Sequence, residues 1–161
     1  MNDSNRDLTA VSAVVRIPQS PLGLEEVRQQ AYDIMKNVEG YPAYMPSVNS
    51  IDVLMRKEGE MTTRWDAQID GAPICWIQRI QTNDSALEIV FEAIEGDFDV
   101  FRGRWSVSES DGRILLNLHV EYKLGIPIIE EVLGPILKEK VMANCEMMLK
   151  AIAEKLSVKD G

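Results

Sequence analysis

Residues 118–124 read LHVEYKL, residues 125–127 read GIP, and residues 134–156 read GPILKEKVMANCEMMLKAIAEKL. The first stretch alternates like a strand, the second is a turn, and the third predicts a long amphipathic helix from about Gly134 to Leu156. Leu137, Val141, Asn144, Met148 and Ala151 recur at helical spacing and share one face. Asn144 therefore stands where a hydrocarbon is expected. A buried amide without a partner costs roughly 1–3 kcal/mol, so either another protein group satisfies it or the helix borders a space that takes a polar ligand. The second option points to a cavity.

Working back from that helix, six period-two segments precede it: Val48 to Lys57, Met61 to Ile69, Ile74 to Thr82, Leu87 to Ile94, Phe98 to Ser108 and Ile114 to Leu124. The turn sequences EGE, DGAP, TNDS, EGD and ESDG separate them, which makes an antiparallel meander. A further β-rich run, TAVSAVVRI at 9–17, ends at Pro18 and brings the strand count to seven. Between it and the meander, Leu24, Val27, Ala31, Ile34 and Val38 keep helical spacing up to Gly40, and YPAYMP at 41–46 reads as a short helical turn. The final helix spans roughly 33 Å at about 1.5 Å rise per residue. It is the only element long enough for seven strands to curl around.

The expected architecture is α+β: one domain over residues 1–161, with a curled seven-stranded antiparallel sheet around a long C-terminal helix and two short helices after the first strand. The first seven and last five residues read as frayed ends. Gly134-Pro135 either kinks the helix or restarts it, with Pro135 in the first turn.

Composition narrows the function classes. The chain has 161 residues, 45% hydrophobic and 27% charged, with a formal net charge of -9. That charge opposes binding to nucleic acid or anionic lipid. Two cysteines without CxxC spacing and no apolar leader or spanning run fit a reducing cytoplasm. GxGxxG after a strand, a Walker loop, HExxH and GxSxG are all absent, and a single histidine gives little support to hydrolase triads or histidine-rich metal sites.

The element order, together with YPAYMPSV at 41–48, IEGDFDVFRGRWSV at 94–107, GIPIIEEVLGP at 125–135 and MANCEMMLKAI at 142–152, resembles the START-like helix-grip proteins. Within them it is most similar to the bacterial polyketide cyclase and aromatase group, over nearly the whole chain from about Val11 to Leu156. The resemblance implies a deep pocket between sheet and helix, no metal or organic cofactor, and a setting in antibiotic biosynthesis. By the same resemblance Arg79 matches the arginine that polarises a substrate carbonyl, Trp105 a pocket aromatic, Tyr41 an aromatic at the mouth, and Asn144 the pocket asparagine of the last helix. Ile77 and Val120 replace a serine and a glutamine of the family pattern, so the polar network of aromatic-polyketide cyclases is incomplete here.

Strand parity leaves two registers open. If Arg79 faces the cavity, Cys75 and Ile77 do too, opposite Glu88, Val90 and Glu92; otherwise Trp76, Gln78 and Ile80 point inward opposite Leu87, Ile89, Phe91 and Ala93. Burial favours the second, and a bulge between Ile80 and Asn83 would reconcile the two. The candidate catalytic residues are accordingly Arg79, Glu92 and Asn144. The candidate lining is Tyr41, Met45, Trp65, Trp76, Gln78, Trp105, Tyr122, Val141 and Met148. The tryptophans read equally as core, and Met45, Met55, Met142, Met147 and Met148 as adaptable core filler. His119, flanked on its own face by Asn117 and Glu121, reads as outward and structural, and the acidic residues of IIEEVLGP as a solvated helix face.

The chemistry that suits such a pocket is cofactor-independent cyclisation and dehydration of a poly-β-keto chain, in which the protein folds the chain, an amide or arginine stabilises enolate charge, and water or Glu92 moves protons. The expected partners are a polyketide or other hydrophobic small molecule and an acyl carrier protein, with assembly no larger than a weak dimer. The alternative is a non-catalytic carrier of a lipid, quinone or other apolar molecule. A third reading, a toxin-antitoxin protein that binds ribosomes, is opposed by the acidic balance.

Overall fold

The computed structural model describes residues 8–19, 21–125 and 127–160, as backbone only at 127–132 and 157–160. The expectations for the first seven residues and for the acidic residues of IIEEVLGP lie outside the described residues or side chains, whereas the expected frayed C-terminal end is corrected: its backbone stays helical to Asp160. Strand β1 (Thr9–Arg16) is followed by helix α1 (Leu24–Lys36), a 3-10 turn at Val38–Gly40 and the short helix α2 (Tyr41–Tyr44). The meander follows: β2 (Val48–Lys57), β3 (Glu60–Ile69), β4 (Ala72–Asn83), β5 (Glu88–Gly96), β6 (Phe98–Ser110) and β7 (Arg113–Leu124). Helix α3 (Pro127–Asp160) closes the chain. All seven strands form one antiparallel sheet in the order β1-β7-β6-β5-β4-β3-β2, the helix-grip arrangement.

The tight turns have the residues that their backbone needs. Asp70 and Gly71 (φ 55° and 85°), and Asp111 and Gly112 (φ 53° and 74°), take consecutive positive φ values at two hairpin tips, a conformation that aspartate tolerates and glycine adopts without steric cost. A different glycine permits the curl. A Cβ on Gly103 would lie 2.0 Å from the His119 carbonyl oxygen and 2.7 Å from the Phe91 ring, so only hydrogen fits where β6 crosses β7.

Helix α3 lies along β1 and β7, with α1 packed against it. It begins seven residues earlier than the sequence pattern predicts. Pro127 occupies the first turn, where its missing N–H is harmless, and Pro135 lies inside a helix that continues through it. The buried stripe is also rotated from the expected one: Val141, Cys145, Met148, Leu149, Ile152 and Leu156 are buried, whereas Leu137, Asn144 and Ala151 are half-buried. Asn144 thus stands at the margin of the core. Met45 and Met148 are core residues, but Met55 and Met147 are exposed.

Candidate functional site: the cavity between sheet and helix

The inner face of the sheet and the margin of α3 enclose a cavity of about 70 Å³. Strand parity settles which residues reach it. On β4, Trp76, Gln78 and Ile80 are buried while Cys75, Arg79 and Gln81 are exposed. Across β5, Ile80 pairs with Phe91 and Arg79 with Glu92, without interruption to Asn83. The bulge expected between Ile80 and Asn83 is absent; the register shift falls instead at Ile77/Gln78. Arg79 and Glu92 therefore sit together on the outer face, and their expected place in the cavity is corrected.

That outer face is a lattice of exposed ion pairs. Arg79 lies 3.8 Å from Glu60, Arg104 3.0 Å from Glu88, and Arg102 2.9 Å from Glu121. His119 joins it, within 3.3 Å of Glu121 and 2.6 Å of the Ser12 hydroxyl. The Arg102 hydrogen bond, aided by His119, holds the Glu121 carboxyl below its usual range.

Trp65, Trp76, Gln78, Trp105, Tyr122, Val141, Asn144 and Met148 all line the cavity. Trp65 and Trp76 stack at 5.4 Å, and their indole N–H groups donate to Thr63 and Gln78 respectively, each at 2.8 Å. An indole nitrogen only donates, so the Gln78 oxygen must be the atom that meets it; the amide NH2 is left as a donor on a largely apolar wall. Gln78 is 3% exposed, and a polar group that deep must be matched by something.

Two expected lining residues stand behind the wall. Tyr41 and Met45 are fully buried and do not border the cavity. Tyr41 packs its ring against Trp65 at 5.9 Å and Trp105 at 5.8 Å, and its hydroxyl donates to the Met35 carbonyl. Burial raises its pKa well above the ordinary range. It buttresses the tryptophans instead of guarding a mouth.

Other lining residues escaped the sequence reading. Phe98 and Phe101, three apart, fall on opposite faces of a regular strand, yet a register shift between Phe98 and Val100 brings them together, stacked at 4.5 Å. Cys145 lies one residue beyond the predicted face of α3, and burial pushes its thiol up to about 12. Ser47 and Gln68 belong to a turn and a strand end, where no periodicity marks them.

Among the described residues, the cavity adjoins a mouth on the β3 side. Ser47, Gln68, Ile69 and Asn144 border both the cavity and an outer groove that also includes Asp70 and Lys140. Lys140 bridges α3 to the β3–β4 turn by an ion pair with Asp70, whose carboxyl it holds below the usual range. Among the described residues no cluster of His, Cys, Asp and Glu is placed to hold a metal, and no helix is long and apolar enough to cross a membrane.

A family profile described as polyketide cyclase / dehydrase and lipid transport matches residues 27–148. The chain belongs to that family. Among solved structures, this polyketide cyclase/dehydrase family member is similar to a Thermus thermophilus protein, with 27% identity and a TM-score of 0.83 over 95% of this chain and 100% of the other. It shares its fold with the Zhui aromatase/cyclase of Streptomyces sp. R1128, at 15% identity and a TM-score of 0.79 over 93% and 94% of the two chains. A START superfamily protein of Mycobacterium smegmatis matches at 21% and 0.73, over 92% and 97%. By sequence, the ribosome association toxin RatA of Escherichia coli K12 is 23% identical over 112 residues, 69% of this chain and 70% of RatA.

Proposed function

We propose that this protein binds a flat, apolar small molecule in the cavity between sheet and helix and holds it by hydrogen bonds at its polar ends. The observation that carries this reading is the wall itself: stacked aromatics interrupted by the neutral polar side chains of Ser47, Gln68, Gln78 and Asn144, with no Asp, Glu, Lys, Arg or His among its described lining residues. Such a surface attracts uncharged, largely apolar ligands and orients them through few polar contacts. At about 70 Å³ the cavity is smaller than the ~150 Å³ that holds a benzene ring. Occupancy therefore requires opening, for which the side chain of Met148 and the Lys140–Asp70 bridge at the mouth are the adaptable parts.

A second reading is ring closure of a bound poly-β-keto chain. The Gln78 NH2, a donor suited to a developing enolate, favours it. In this mechanism the wall folds the chain and water carries the protons, because Glu92 and Arg79 stand outside. Ribosome association, named for the toxin relatives, does not fit the net charge of -9.

Native mass spectrometry of protein purified without denaturant tests the binding reading: a co-purifying apolar species is expected, lost when Trp76 is replaced by a charged residue. Incubation with a carrier-bound poly-β-ketone tests the second. Cyclised product above the spontaneous level, diminished in Gln78→Leu, supports ring closure; product at the spontaneous level removes it and leaves the binder.

A further inference from the structure

Two polar atoms beside the cavity have no hydrogen-bond partner among the described residues: the hydroxyl oxygen of Ser47 and the amide oxygen of Asn144. Both residues border the cavity on one side and the outer groove on the other. Ser47 is only 8% exposed. The amide nitrogen of Asn144 already faces the Met148 sulfur at 3.6 Å, which leaves its oxygen as the free end. A buried oxygen without a partner costs roughly 1–3 kcal/mol, and both residues border the same two spaces.

The geometry points to Ser47 and Asn144 as a head-group site that selects an uncharged ligand with a hydroxyl at its outer end, bound ring-first into the aromatic box. The chemistry follows from what each atom does. The Asn144 oxygen only accepts, so it needs a donor; the Ser47 hydroxyl both donates and accepts. A ligand hydroxyl satisfies both, donating to Asn144 and accepting from Ser47, whereas a carbonyl offers Asn144 nothing and a carboxylate faces its oxygen with like charge. Gln78, whose amide oxygen is taken by the Trp76 indole N–H, has its NH2 as the complementary donor for an acceptor elsewhere on the ligand. This assignment rests on the cavity being the binding site, and it adds the orientation and chemical class of the ligand.

Phenol and benzene, which differ by one hydroxyl, are the test, with affinities measured by calorimetry on the full chain. Phenol is expected to bind about tenfold more tightly, the equivalent of about 1.4 kcal/mol. Ser47→Ala should lower that preference several-fold by weakening phenol, with benzene, which offers Ser47 no group, as the internal reference. Asn144→Leu, close in size, should do the same and keeps the test open if the first variant misfolds. Equal affinities for the two probes, or a preference that survives both substitutions, would overturn the head-group assignment while benzene binding upheld the cavity. Failure of both probes to bind would remove the cavity reading and the assignment with it.

Discussion

Strand β4 carries two unlike walls: Trp76, Gln78 and Ile80 face α3, while Arg79 and Gln81 face outward among exposed ion pairs. Inside, the few polar atoms are nearly all the chemistry there is, and Ser47 and Asn144 lack partners among the described residues. Outside, charges are plentiful and pair with one another. A charge in the sequence is therefore a poor guide to the site in this fold; a neutral amide on the inner parity is a better one. The predicted consequences of the contrast run from the inner wall outward.

The largest effect belongs to the stacked tryptophans. Trp65→Ala, which removes an indole that is 4% exposed, should destabilise the protein by about 3–5 kcal/mol in urea unfolding. Gly103→Ala comes next: its methyl group would be driven into the backbone of β7, at a cost of about 1–3 kcal/mol or more, read by the same method. Tyr41→Phe leaves the ring packing in place and removes one buried hydrogen bond, worth about 1 kcal/mol. The cysteines provide a comparison in kinetics. At pH 8 the exposed Cys75 should alkylate well before Cys145, because burial holds the Cys145 thiol protonated until about pH 12; a cavity ligand should slow Cys145 further and leave Cys75 alone. The smallest effect is at Arg79. Arg79→Ala should change stability by less than about 1 kcal/mol and leave ligand affinity intact, and a loss of binding would show that the outer face takes part.

The fold was legible because most turns carried their own chemistry and most strands their alternation. Strand β2 starts at Val48 and ends at Lys57 as the pattern predicts. The site was less so, for local reasons. A bulge breaks the period-two rule at Phe98 and Phe101, so their meeting cannot be read from spacing. Ser47 sits in a turn, where no rule of faces applies. On α3 the buried stripe turns by about one position from the predicted one, which moves Asn144 from the centre of the core to its margin, where an unsatisfied amide is tolerable if a ligand meets it. Arg79 shows the reverse case: likeness of motif proposed an inward arginine, while the more apolar parity already pointed the other way.

The claim that the cavity is where a ligand binds has a built-in reporter, because all three tryptophans of the chain border it. Nitrogen-proton correlation spectra recorded during a benzene titration would follow the three indole N–H signals beside the backbone amides of Arg79, Arg102 and His119. Saturable shifts of the indoles with the outer-face amides still are the predicted result. Shifts confined to the outer face, or no shift at all, would contradict it.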